Sequence, residues 1–151
     1  NWIFKGGPKA TCAVPSSTQT TYSTTELQET QTELNNAGMS VDIIPPVRSN
    51  GKPSGVLASG TTSTTISLST DETATCKYST TAGLYYNSMV NTFSKTGSTS
   101  HSQLITGLTN GKTYNYYVRC QDSSQNKNPD DYLISFSVAS TKSIPKISNI
   151  E

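Results

Sequence analysis

Few side chains in this chain have the chemistry and spacing of a catalytic site. His101 is the only histidine, and together with Asp122 it would supply two members of a nucleophilic triad. No part of the sequence, however, is typical of the sharp turn that exposes a nucleophile. We expect Asp71 and Glu72 to be a turn pair rather than an acid/base dyad, because adjacent side chains at a strand end point apart. We predict no catalytic residue and no cofactor, and we expect His101 to be an exposed residue that begins a strand.

A group of oxygen-bearing side chains lies between the last two predicted strands. Its members are Asp122, Asn126, Asn128, Asp130 and Asp131. Carboxylate and amide oxygens are the ligands that calcium prefers. Their spacing does not match an EF-hand loop, and asparagine and aspartate are also ordinary turn residues. Calcium is therefore an alternative to a plain polar loop, and we predict no metal site firmly.

Composition excludes several classes of partner. The chain has 151 residues, 14% of them charged, and a net charge of +1, so it has no basic surface for nucleic acid. Its longest apolar runs are a handful of residues, so we expect no membrane span. Residues 1–7 lack the charged start and apolar core of a signal peptide, so a secreted form would require a signal already removed or a longer parent protein.

The pattern beyond residue 50 is that of short strands separated by turns. Residues 43–53 contain three prolines, which predicts an extended entry to a domain. The predicted strands are 55–58, 64–70, 74–79, 101–108, 114–120 and 132–138. Asn110-Gly111 predicts a tight turn, because both residues tolerate positive φ. Because no helical period occurs among the strands, we predict an all-β sandwich.

One corner of this pattern identifies a family resemblance. Leu108 is followed by the Asn110-Gly111 turn and then by Tyr114, whose ring would pack inward while its hydroxyl bonds back to the chain upstream. With this corner and the order of the strands, residues from about 52 to 139 resemble a fibronectin type III-like domain of bacterial extracellular proteins. The resemblance implies an immunoglobulin-like sandwich. This chain departs from the usual pattern because the predicted strand 64–70, which corresponds to strand B of that fold, carries no tryptophan, and because the chain adds Cys76 and Cys120.

The resemblance also implies a disulfide. It makes the predicted strands 74–79 and 114–120, strands C and F of that fold, neighbours, so that Cys76 and Cys120 would face each other within reach of an S–S bond. Such a bond would indicate an extracellular or cell-surface location. The alternative is a pair of buried free thiols that pack as small apolar side chains. Cys12 is left over as a free or intermolecular thiol, and no Cys-x-x-Cys spacing favours a metal site.

The first fifty residues form an arm of a different character. Ser23 and Glu26 have the spacing of a capping box, which predicts a short helix over about 24–36, and alternation predicts a strand over about 39–44. We assign 1–50 to the arm, 51–140 to the sandwich and 141–151 to a tail. The arm is too short to bury its own core, so its apolar side chains are candidate assembly contacts. These are Trp2, Ile3, Phe4, Val41, Ile43 and Ile44.

The inward positions of the strands predict the core. The residues expected to be buried are Ile66, Leu68, Tyr78, Ile105, Leu108, Tyr114, Tyr116, Val118, Ile134, Phe136 and Val138. Five tyrosines could form an aromatic platform for carbohydrate rather than fill the core, with Tyr117 and Tyr132 as the exposed members. The candidates are Tyr85, Tyr86, Tyr116, Tyr117 and Tyr132. More often such rings fill a sandwich that lacks tryptophan.

Two classes of function follow from these expectations. The first is a non-catalytic extracellular module that acts as a spacer, adhesion or binding domain of a secreted or surface protein. The second is a structural subunit of an extracellular filament or surface layer, assembled through the arm or through edge strands. The expected partners are other domains of the parent protein or identical subunits, with carbohydrate as a further candidate.

Overall fold

A single long strand organises the sheet. The computed structural model describes residues 23–38 and 41–141 of the chain. Its elements are α1 (Thr24–Asn36), β1 (Arg48–Lys52), β2 (Gly55–Leu57), β3 (Ser63–Ser79), a 3₁₀ turn (Tyr86–Ser88), β4 (Asn91–Thr92), β5 (Ser98–Thr106), β6 (Thr113–Asp122) and β7 (Tyr132–Val138). The strands form one curled sheet in the order β1-β3-β6-β7-β2, and β4 and β5 also pair with β3. The prediction of an all-β protein is confirmed.

The predicted turn at Asp71 and Glu72 is wrong, because both residues lie inside β3. Residues 63–69 of β3 pair with β5, and residues 74–79 pair with β6. The register shifts between Ser69 and Ala74, as expected at a bulge where a strand bends. The chain does not reverse direction at the bend, and hydrogen bonds stabilise the backbone there. The Thr70 hydroxyl donates to the Glu72 carbonyl over 2.6 Å, and the Asp71 amide donates to the Val47 carbonyl over 3.2 Å.

The inward faces of both halves of β3 contribute to one core. Of the predicted core residues, eight are buried: Ile66, Leu68, Leu108, Tyr116, Val118, Ile134, Phe136 and Val138. Tyr78, Ile105 and Tyr114 are half-buried and pack against them. The sequence did not predict the burial of Tyr86, Met89 and Phe93, which lie in a segment that reads as a long loop. Its backbone is irregular, so no strand period marks these inward side chains.

Tyr114, at the start of β6, forms the hydrogen bond expected of the tyrosine corner. The Thr109 amide donates to Tyr114 Oη over 2.8 Å, and the ring stacks on Phe136 with centroids 5.5 Å apart. This hydroxyl lies at the surface, and its hydrogen bonds with Thr109 lower the pKa of Tyr114. The contact fixes the direction in which the chain enters β6.

The described part of the arm contains the predicted helix but not the predicted strand. The Ser23 amide donates to Glu26 Oε2 over 2.8 Å, and the Glu26 amide donates to Ser23 Oγ over 3.3 Å, so the capping box is present. Residues 41–47 form no strand, because Pro45 and Pro46 lack an amide proton and the amides of Ile43, Ile44 and Val47 bond to side chains instead of a ladder. The Ile43 amide, for example, donates to Gln31 Oε1 over 2.9 Å. Sheet pairing begins at Arg48.

Several predictions fall outside the described residues. They concern Trp2, Ile3, Phe4 and Cys12, as well as the tail from residue 142 onward. Of the other arm residues, Val41 is exposed, while Ile43 and Ile44 are half-buried. Within the described ranges, no helix has the length and apolar character that crossing a membrane requires.

Candidate functional site

The two core cysteines are directly opposite each other in the sheet. Cys76 of β3 is the register partner of Cys120 of β6, and both are fully buried. Their sulfur atoms form a disulfide, as the family resemblance implied. The Cys120 amide also receives support from the next loop, because it donates to Asn128 Oδ1 over 2.8 Å. The bond therefore joins the two central strands at the core.

The prediction that His101 is exposed is wrong. Its side chain is fully buried, four residues into the β5 strand that begins at Ser98. Nε2 lies 2.9 Å from Thr70 Oγ1, and Nδ1 lies 2.8 Å from Thr96 Oγ1. The ring also makes an edge contact with Phe93, with centroids 6.5 Å apart. Alternation along β5 places His101 inward, and two hydroxyl groups from neighbouring segments satisfy its nitrogens.

The hydroxyl partners determine the tautomer of this histidine. Thr70 donates its hydroxyl proton to the Glu72 carbonyl, so it accepts a hydrogen bond from His101 Nε2. Nδ1 then accepts from the Thr96 hydroxyl, which lies closer to it, at 2.8 Å, than to the Ala74 carbonyl, at 3.3 Å. Thr96 Oγ1 itself accepts from the Cys76 amide over 2.9 Å. Burial lowers the pKa of His101. The ring is neutral and enclosed, and it connects the bend of β3 to the core.

Three carboxyl groups meet where the arm reaches the bend of β3. Oxygen atoms of Asp42, Glu72 and Asp122 lie within 4.8 Å of one another. Burial, and then the charges of Asp42, Asp122 and Asp71, raise the pKa of Glu72 to about 7. Both oxygens of Asp122 already accept hydrogen bonds from Asn126, at 2.8 and 2.7 Å. With one oxygen from each, these three carboxylates supply three ligands, fewer than the six to eight oxygens of a calcium site.

The residues predicted as alternative calcium ligands are brought into separate structural contacts. Asp122 and Asn126 bond to each other, as described above. Asn128 Nδ2 donates to the Pro46 carbonyl over 2.8 Å, which attaches the arm to the β6–β7 loop. Asp130 accepts from Arg48 Nη2 over 2.8 Å, and Asp131 accepts from Arg119 Nε over 2.7 Å. The residues of this loop thus position the arm and two arginines.

A groove of about 220 Å³ lies between the start of α1, the proline segment and the β6–β7 loop. Its walls include Leu27, Pro45, Pro46, Arg48 and Tyr132. Arg48 donates to the Val118 carbonyl over 2.9 Å and to the Asp130 carbonyl over 2.8 Å. Burial lowers the pKa of Arg48 although Asp130 opposes that shift. The guanidinium joins the beginning of the sheet to its last loop.

The outer face of β3 and β6 carries two stacked cation–aromatic pairs. Lys77 Nζ lies 4.9 Å from the centroid of the Tyr86 ring, and Arg119 Cζ lies 5.7 Å from that of Tyr85. The Gly83 amide donates to Asp131 Oδ2 over 2.6 Å, in addition to the bond between Asp131 and Arg119. The loop between β3 and β4 therefore folds over this face and is held there by charge-assisted contacts.

The exposed tyrosine of the predicted platform differs from the two that we expected. Tyr85 is 56% exposed, whereas Tyr86 and Tyr116 are buried. Tyr117 and Tyr132, which we expected to be the exposed members, are half-buried. The Tyr132 hydroxyl accepts from the Gly51 amide over 2.9 Å, so its polar end is used within the fold. Of the predicted platform, only Tyr85 presents a largely open ring.

The chain was compared with protein-family models, with curated proteins and with solved structures, and nothing in any of the three matches it.

Proposed function

We propose that this chain is a non-catalytic module of a secreted or surface protein, with a fibronectin type III-like fold, acting as a spacer, adhesion or binding domain. The pairing of the strands supports the fold. β1 and β5 pair with the first half of β3, while β4 and β6 pair with its second half and β7 pairs with β6. Two such groups facing one core correspond to the two sheets of an immunoglobulin-like sandwich.

The disulfide supports the proposed location. The enclosure of His101 supports a non-catalytic role. A disulfide that joins two central strands is stable in oxidising compartments and is rare in reducing ones. His101 is enclosed between Thr70 and Thr96, where a substrate cannot reach either ring nitrogen. A general base must lie within hydrogen-bonding reach of the substrate, so this residue suits packing rather than catalysis.

The observation that favours a module over a filament subunit is that the arm forms hydrogen bonds with the sheet and the β6–β7 loop of its own chain. The Val47 amide donates to Asp71 Oδ1 over 2.8 Å, and the Asp71 amide returns a bond to the Val47 carbonyl. The carbonyls of Pro46 and Asp42 accept from the side chains of Asn128 and Asn126. Residues 42–47 thus attach to the sheet of their own molecule, which leaves this part of the arm unavailable to a neighbour.

The long edge strand β5 also supports a module. The amide and carbonyl of Ser102 both bond to Lys95, over 3.0 and 3.1 Å. The amide and carbonyl of Ser100 bond to Ser98 Oγ, over 3.2 and 3.1 Å. A neighbouring strand can pair only with free backbone groups, so these local bonds hinder addition of a strand at this edge.

The alternative function, a subunit of a filament or surface layer, has support of its own. Helix α1 has no buried residue, although Leu27 and Leu34 lie on one side of it. The short strand β2 pairs with β7 only, and Val56 within it is 70% exposed. A neighbouring chain could cover both of these surfaces.

Light scattering on the intact chain separates the two functions. A module is expected to remain a monomer of about 16.2 kDa as its concentration rises. A chain that lacks residues 1–40 serves as the comparison, because it keeps the bonds of residues 42–47 to Asp71, Asn126 and Asn128. Monomers from both chains would support the module. Large particles that form from the intact chain and disappear on truncation would show that the filament is the correct function.

A further inference from the structure

We propose that the outer face around Lys77, Tyr85 and Arg119 binds the carboxylate-bearing sugar residues of an acidic polysaccharide. This inference rests on the proposed function, because it names the ligand of a module that acts by binding. Three observations lead to it: an excess of positive charge, an arginine with unused donors, and an exposed aromatic ring held in a fixed position.

The positive charge comes from two cations that lie directly opposite each other. Lys77 and Arg119 are register partners in β3 and β6, a placement in which like charges repel. Asp131 pairs with Arg119, but Lys77 makes no ion pair with any residue in the described ranges. This group of three side chains therefore keeps a net positive charge, which a bound anion would complement.

Arg119 provides the donors that would hold the anion. Its side chain is only 6% exposed, and its Nε donates to Asp131. Nη1 and Nη2 donate to none of the residues that the structure describes. Of those residues, only Arg48 has a fully enclosed side-chain nitrogen without a partner, so the terminal nitrogens of Arg119 reach the surface. Paired N–H groups of a guanidinium match the two oxygens of a carboxylate.

Tyr85 provides the flat surface against which a sugar ring would lie. One face of its ring lies on the Arg119 guanidinium, and the side chain is still 56% exposed. Tyr86 packs under Lys77, and Gly83 bonds to Asp131, so the loop is fixed on both sides of the ring. A ring fixed before binding loses little conformational entropy when a ligand packs its apolar C–H groups against it.

The adjacent row of side chains favours a polymer over a single sugar. Tyr117 and Leu133 are register partners on the same outer face, two positions along the strands from Arg119 and Asp131. The two rows are about 7 Å apart. Leu133 is 51% exposed, so apolar surface continues beyond the cations. A ligand with several linked rings would cover both rows, with a carboxylate at Lys77 and Arg119.

Calorimetric titration of the full chain with a short oligogalacturonate tests the proposal. The control ligand is the same oligosaccharide with its carboxyl groups reduced to alcohols. Tyr85→Ala and Lys77→Gln should each weaken uronate binding about tenfold, and added salt should weaken it further. Tyr85→Phe, which keeps the ring, and Lys95→Gln, which removes an exposed charge elsewhere, should bind as the wild type does. Circular dichroism would establish that each variant is folded.

Preferential binding of the uronate, with this pattern of variants, would support the site. Three outcomes would overturn it: no binding of the uronate, equal binding of the reduced oligosaccharide, or an equal loss in Lys95→Gln. Dimerisation of the free chain that Tyr85→Ala abolishes would also overturn it, because the face would then be a contact between copies. A monomer that binds no uronate overturns only this inference, whereas a filament in light scattering overturns the proposed function.

Discussion

Cys76 and Cys120 face each other across β3 and β6 at directly paired positions, and their disulfide lies in the fully buried centre of the core. The bond closes a loop with a sequence separation of 44 residues. It therefore joins the bend region of β3 to the strand that follows the tyrosine corner. The stability of the whole sheet should depend on it.

Replacing both cysteines by alanine should lower the free energy of unfolding by about 4 kcal/mol, because the unfolded chain regains the entropy that the closed loop removes. Guanidinium unfolding would measure the loss. Cys12→Ser should be present in both the test and the reference protein, so that only the pair differs. Equal midpoints would contradict the prediction, as would alkylation of all three thiols in the unreduced wild-type protein.

The buried His101 should make the protein less stable in mild acid. Its folded-state pKa is lowered, so below the ordinary value of 6.5 the unfolded chain binds a proton that the folded one excludes. The contribution of His101 to stability is thus present above pH 6.5 and is lost as the pH falls towards the folded pKa. His101→Leu should remove this decline between about pH 7 and 5. An identical slope in both proteins would argue that the imidazole is not enclosed.

Glu72 should act in the opposite direction. Its folded pKa is about 7, against an ordinary value of 4.5, so the folded state binds the proton more tightly. Stability from this group is complete below 4.5 and is lost as the pH rises to about 7. Glu72→Gln should therefore be more stable than the wild type at pH 8, and the difference should vanish near pH 4.5. Urea unfolding at both pH values would measure it, with the exposed helical variant Glu29→Gln as a control that shows no such difference.

Gly51 lies against the ring of Tyr132. A Cβ at residue 51 would lie 2.6 Å from Tyr132 Cε1 and 3.0 Å from its hydroxyl oxygen. Gly51→Ala should therefore displace the ring and destabilise the fold by about 1–3 kcal/mol. In a double-mutant cycle, the penalty should shrink when Tyr132 is also replaced by alanine. A full penalty in that background would locate the strain in the backbone of β1 rather than in the ring.

The sequence alone predicted burial correctly where apolar and polar side chains alternate strictly along a strand. Every second side chain of a strand points inward, and this period predicts the burial of Ile66, Val118 and Phe136. The capping box of Ser23 and Glu26 is likewise predictable, because it is a local sequence pattern. The burial of Met89 and Phe93 depends on a loop that folds over the sheet, and such long-range packing leaves no periodic signal.

The polar sites could not be predicted from the sequence, because they too depend on contacts between segments that are distant in sequence. His101 reads as a surface residue because its serine neighbours are polar, and only the hydroxyls of Thr70 and Thr96 make its burial possible. Burial, and then the charges of Asp42 and Asp122, which are distant in sequence, raise the pKa of Glu72. The stacking of Tyr85 on Arg119 likewise joins two segments that sequence alone does not bring together.

The contact between Val47 and Asp71 offers the most direct test of the proposed module. A sample that mixes isotope-labelled and unlabelled chains, with nuclear Overhauser effects filtered for pairs between chains, distinguishes contacts within one molecule from contacts between two. We predict that the Val47–Asp71 effect appears in the uniformly labelled protein and is absent from the filtered spectrum at every concentration. A filtered signal between these two residues would contradict the account, because the arm would then be bound to the sheet of a neighbour.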